Sequence, residues 1–166
     1  NTFQSLGFML YAPLDSYTAW LRQQDQVPVY EYYRDVLRLL QFRCRAERWA
    51  LKAPIHTFAV DALLTVFPDA SVIQTHRNLL QALPSCCSLM ATYRSIYSDH
   101  VDLARLGPTM SDVWSGRLDR MTRVRKSSDP ARFWDVQYED LVRNPVDTVR
   151  RLYDYFDYPY TEVFEE

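Results

Sequence analysis

Along this chain the apolar positions change spacing repeatedly between Trp49 and Tyr97, and those changes mark the elements around which the rest is arranged. Trp49 to Lys52 is a short apolar run that Pro54 ends, because proline cannot donate to a central ladder; it predicts a first strand. From Ile55 onward Phe58, Leu63, Val66 and Phe67 recur at the spacing of one helix face, and Pro68-Asp69 closes that helix with a turn. Ser71 to Gln74 brings β-branched residues together in a brief apolar run, the pattern of a strand covered on both faces. Strand, helix and strand in this order predict a right-handed crossover and a parallel sheet.

The flanks read as helices and one more strand. Ser16 to about Gln24 forms a short helix capped by Asp15 or Ser16, and Val27-Pro28 breaks it. From Val29 to Phe42, Tyr33, Val36, Leu37, Leu39 and Leu40 mark an amphipathic helix. Its tyrosines Tyr30, Tyr32 and Tyr33 read as core packing, with the lining of an acceptor pocket as the alternative. Pro84 to Tyr97 predicts a helix, and Gly107-Pro108 ends the polar connection that follows it. Thr109 then caps a helix from Met110 to Lys126, with Val113, Trp114, Leu118 and Met121 inward and Arg120, Arg123 and Arg125 on a wet face. Phe133 to Tyr138 alternates as a third strand, and Asn144-Pro145 opens a last helix through Val149, Leu152, Tyr153 and Phe156. The lead-in from Asn1 to Ala12 is weakly patterned.

Composition narrows the classes. The chain has 166 residues, 48% hydrophobic and 14% aromatic, which suits one packed domain and excludes disorder. A net charge of −2 gives no basic excess for a nucleic-acid or membrane partner. Lys52 and Lys126 are the sole lysines, so nearly all positive charge is arginine, which suits anion clamps but is also a compositional habit of GC-rich genomes, the reading taken for the surface arginines. Three cysteines, two adjacent, make neither a disulfide framework nor a metal-ligand spacing, and no apolar run is long enough to span a bilayer. A reducing cytoplasm is the compartment these features predict.

The candidate chemistry sits where the second strand ends. Thr75, His76 and Arg77 lie at the carboxyl edge of the predicted sheet, where open α/β folds bind ligands. With Pro84 in a first helical turn, Ser85 falls near a helix amino end, so a guanidinium and a hydroxyl could converge on one anion there. Arg77 and Ser85 therefore read as a phosphate clamp, against the plainer alternative of a surface arginine and a capping serine.

Several motifs, in order, carry a family resemblance: VYEYYRDVLRLLQ, WALKAPIHTFAVDALLTVFPDA, THR followed by PS, and RFWDVQYEDLVRNPVDTVRRLYDYF. Together they resemble the sulfotransferases that use 3′-phosphoadenosine 5′-phosphosulfate (PAPS), in a bacterial, actinobacterial-like branch. The resemblance implies an α/β fold with a P-loop-NTPase-like parallel sheet flanked by helices, here incomplete with three recognisable strands. It implies that Arg77 and Ser85 hold the 3′-phosphate of PAPS, that Tyr138 contacts the adenine, and that no metal is required. His56 is then the candidate general base and Lys52 the candidate stabiliser of the bridging oxygen. The acceptor implied is a small-molecule or lipid-like alcohol, and PAP, adenosine 3′,5′-bisphosphate, is the product. The family's Gly- and Ser/Thr-rich loop around the 5′-phosphosulfate has no counterpart here, nor has its closing basic segment. Residues 1–166 thus read as a single sulfotransferase-like domain missing its N-terminal strand-loop-helix and that last segment. A P-loop kinase-like transferase and a non-catalytic remnant remain as alternatives.

Overall fold

The computed structural model describes residues 4, 5, 7–44, 47–161 and 163. Asn1 to Phe3, the start of the weakly patterned lead-in, lie outside the described residues. The architecture is α/β. Helices α1 (Phe8–Tyr11), α2 (Asp15–Arg22) and α3 (Val27–Gln41) lead into a 3₁₀ turn at Pro54–Phe58 and helix α4 (Val60–Val66). Strand β1 (Val72–His76), helices α5 (Leu79–Ser95) and α6 (Leu103–Ser127), and strand β2 (Phe133–Gln137) follow, with α7 (Tyr138–Arg143) and α8 (Pro145–Tyr155) last.

β1 and β2 pair in parallel, Val72 opposite Phe133 and His76 opposite Gln137. The connection between them runs through α5 and α6, as a parallel pair requires. Two strands make the sheet among the described residues, not the three expected. Trp49 to Lys52 joins no ladder among the described residues, and Trp49 and Leu51 stay exposed. A strand forms only beside a partner that takes its N–H and C=O groups, and the described residues offer none there. Just before it, the Arg48 guanidinium rests 3.7 Å from the Tyr158 ring centroid, beyond the end of α8. The cover on β1 is also one-sided, with Ile73 49% exposed.

Both central helices begin earlier than their prolines suggest. Asn78 caps α5, its side chain accepting the Leu80 N–H at 2.9 Å, and Asp102 caps α6 by accepting the Arg105 N–H at 3.0 Å. Pro84 and Pro108 therefore sit inside their helices. Each removes one i→i−4 bond, a loss that the caps and burial on either side offset. Around Pro108, Leu106, Met110 and Val113 are buried against Met9 and Met90, so packing carries α6 straight through Gly107-Pro108. The same cluster takes Leu83 and Cys86 of α5, which leaves Ser85 exposed. Two smaller clusters anchor α4: Tyr30, Ala59, Ala62 and Val66 against α3, and Val60, Leu64, Met121 and Phe133 against α6 and β2. All three cysteines are free. No described helix is long and apolar enough to cross a membrane.

Candidate active site

The parallel register fixes the first part of the site. Because His76 and Gln137 are paired strand ends, the next residues, Arg77 and Tyr138, leave the sheet side by side at its carboxyl edge. The Arg77 guanidinium lies 4.7 Å from the centre of the Tyr138 ring, a cation–π contact that holds both side chains at the strand tips. Among the described residues no carboxylate pairs with Arg77, which leaves its N–H fork open to an anion there.

Ser85 lies elsewhere than expected. α5 starts at Leu79, which places Ser85 in the second helical turn, roughly 10 Å along the axis from the Asn78 cap. It is exposed, on the row that Asn78 and Ala82 share. Arg77 and Ser85 do not bond to each other.

His56 and Lys52 belong to the segment before α4. Lys52 is exposed and, among the described residues, makes no ion pair. His56 is half-buried in the 3₁₀ turn, its Nδ1 3.0 Å from the hydroxyl of buried Tyr30, with the Tyr33 ring beside it at 6.1 Å between centroids. Burial lowers the His56 pKa from its ordinary value, so the ring is neutral near pH 7. Arg117 of α6 fastens this turn: its Nε donates to Thr57 Oγ1 at 2.8 Å and Nη2 to the Pro54 carbonyl at 2.6 Å, while the guanidinium lies between the Phe58 and Trp114 rings. Sequence spacing gave no sign of this role, because Arg117 finds its partners 60 and 63 residues away.

Two arginines assigned to a wet face are committed in the same way. Arg120 grips Asp61 at 3.0 and 2.8 Å, and Arg125 grips Asp135 of β2 at 2.6 Å through both nitrogens. His76 closes on Asp135 from β1, Nε2 to Oδ1 2.5 Å, so His76 braces the strand pair rather than facing a ligand. The Arg125 hydrogen bonds, aided by His76, hold the Asp135 carboxyl well below the usual range, at about 2. Its stabilisation is present above the unfolded carboxyl pKa and is lost as pH falls toward 2. The pair is part-exposed, so screening reduces the effect to about 1 kcal/mol. Urea unfolding at pH 5 and pH 2.5 is expected to show that loss in the wild type and a smaller one in Asp135→Asn.

An α/β chain whose parallel strands deliver an arginine and an aromatic ring to one carboxyl edge, ahead of a capped helix, has the layout of the P-loop-NTPase-like class. Within that class the chain belongs to the sulfotransferase family, whose model matches residues 1–162. It is 32% identical over 124 residues to omega-hydroxy-beta-dihydromenaquinone-9 sulfotransferase Stf3 of Mycobacterium bovis and, equally, of Mycobacterium tuberculosis. That alignment takes in 72% of this chain and 32% of each relative. Among solved structures, the fold matches sulfotransferase STF1 of M. tuberculosis with a TM-score of 0.90 at 36% identity, over 96% of this chain and 44% of that one. Sulfotransferase STF9 of Mycobacterium avium matches with a TM-score of 0.89 at 32% identity, over 95% of this chain and 41% of that one. The chain thus spans about a third of the curated relatives and less than half of the solved ones.

Proposed function

We propose that the whole enzyme moves a sulfuryl group from PAPS to a hydroxyl acceptor. The acceptor oxygen bonds to sulfur, the sulfur–oxygen bond to the 5′-phosphate breaks, PAP departs, and the acceptor proton is released. Such transfer needs little covalent help from the protein; in-line positioning and fixed donors facing the developing charge supply most of the rate. Arg77 and Ser85 take the 3′-phosphate between them, and the Tyr138 ring meets the adenine. Lys52, which is exposed, steadies the bridging oxygen, and His56 faces the reacting oxygens.

The observation that carries this reading is the Arg77–Tyr138 contact at adjoining strand tips, which puts an anion fork and a stacking surface one ring apart. A terminal alcohol on a long apolar chain is the acceptor class proposed, since Stf3 is named for an omega-hydroxy menaquinone derivative. Incubation of the whole enzyme with PAPS and a long-chain prenyl alcohol is expected to release PAP and a sulfate ester without added metal. Transfer from ATP that depends on Mg²⁺ would instead establish a kinase-like enzyme.

A further inference from the structure

We infer that Tyr30 fixes the tautomer of His56, so that the imidazole meets the reacting oxygens as a hydrogen-bond donor at Nε2 and not as a base. The functional half rests on the sulfuryl-transfer reading; the tautomer itself rests on two side chains.

Tyr30 is 6% exposed, packed with Ala59, Ala62, Val66 and Tyr33, and among the described residues its hydroxyl has one hydrogen-bond partner, Nδ1 of His56 at 3.0 Å. A hydroxyl can donate or accept, and two arrangements follow. If Nδ1–H donated to Tyr30, the tyrosine's own hydrogen would be stranded among methyl groups and a ring, an unsatisfied buried donor. If Tyr30 donates, both groups are satisfied. Burial, with the Asp61 charge beside it, pushes the Tyr30 pKa far above its ordinary value, so the phenol keeps that hydrogen. The charged groups nearest the pair are themselves engaged, Arg117 on the 3₁₀ turn and Arg120 on Asp61, so neither alters the assignment.

A neutral imidazole with Nδ1 accepting carries its hydrogen on Nε2. Nε2 has no protein partner among the described residues. A ring in this state cannot take a proton at Nε2, but it can give a hydrogen bond to an oxygen that gains charge as the sulfuryl group moves. The loose transition state leaves the acceptor proton in place until the new bond has largely formed, so it can pass to water afterwards. Tyr30 is thus a positioning residue acting through His56.

Two-bond ¹H–¹⁵N spectra of histidine-labelled protein test the tautomer. Since imidazole in water also favours Nε2–H, the decisive signal is an Nδ1 nitrogen displaced by an accepted hydrogen bond, and the loss of that displacement in Tyr30→Phe. An Nδ1-protonated ring in the wild type, or an Nδ1 signal indifferent to Tyr30→Phe, overturns the inference; the wild-type spectrum decides alone if the variant does not fold. The role is tested by His56→Gln, whose amide can donate near the Nε2 position but cannot take a proton. It is expected to keep kcat roughly tenfold above His56→Ala, the scale of one hydrogen bond, and equal rates would overturn the donor role. Titration with PAP, run on the same proteins, separates the two readings: no binding retires sulfuryl transfer and the donor role with it, whatever the tautomer.

Discussion

Arg77→Ala is expected to weaken PAP binding to the whole enzyme by about 1–3 kcal/mol, the scale of a hydrogen-bonded charge partner. The side chain has the position and freedom for that contribution: it stands at the tip of β1, is stacked at 4.7 Å on Tyr138, and among the described residues is paired with no carboxylate. A phosphate dianion is matched better by two N–H groups of a planar fork than by one ammonium, so Arg77→Lys should recover only part of the loss. Tyr138→Ala should cost less, because an exposed cation–π contact is worth about 0.5–1 kcal/mol and the adenine would lose one stacking face. Calorimetric titration with PAP reads all three variants. Unchanged affinity in Arg77→Ala would remove the clamp, and with it the observation on which the proposed donor rests.

The clamp also shows what could be read from the residues. The strand tips were legible because β1 and β2 each combine a short apolar run with a polar exit, so Arg77 and Tyr138 were placed before their register was known. Their contact was not legible, since pairing partners 61 residues apart leave no local mark. The starts of α5 and α6 were misplaced for a specific reason: Pro84 and Pro108 read as punctuation, whereas Asn78 and Asp102 had already capped each helix upstream. Ser85 consequently moved from a first turn to a second. The strand expected at Trp49–Lys52 depended on a neighbour, and strand propensity alone makes no ladder. Arg117, Arg120 and Arg125 look alike in a sequence; their different partners arise only when α6 is laid across the 3₁₀ turn, α4 and β2. Of the three tyrosines read as core packing, Tyr30 is buried and Tyr33 half-buried, but Tyr32 is 58% exposed; the Tyr30 hydroxyl also reaches His56.

Leu106→Ala should lower unfolding free energy by about 2–3 kcal/mol, near the bottom of the 2–5 kcal/mol range for such truncations. Leu106 is 2% exposed, so the full transfer term is lost. The cavity term is smaller than usual because the surrounding cluster holds Met9, Met90 and Met110, whose unbranched side chains can swing into part of the space. Urea unfolding should show a lower midpoint with an unchanged slope, as expected when stability falls but the exposed surface does not change. Below the transition, PAP affinity should hold, since the cluster packs against Leu83 and Cys86 on the side of α5 opposite exposed Ser85. A parallel loss of affinity in the folded variant would mean that α5 shifts as a body when its support thins, and that the clamp geometry depends on the packing beneath it.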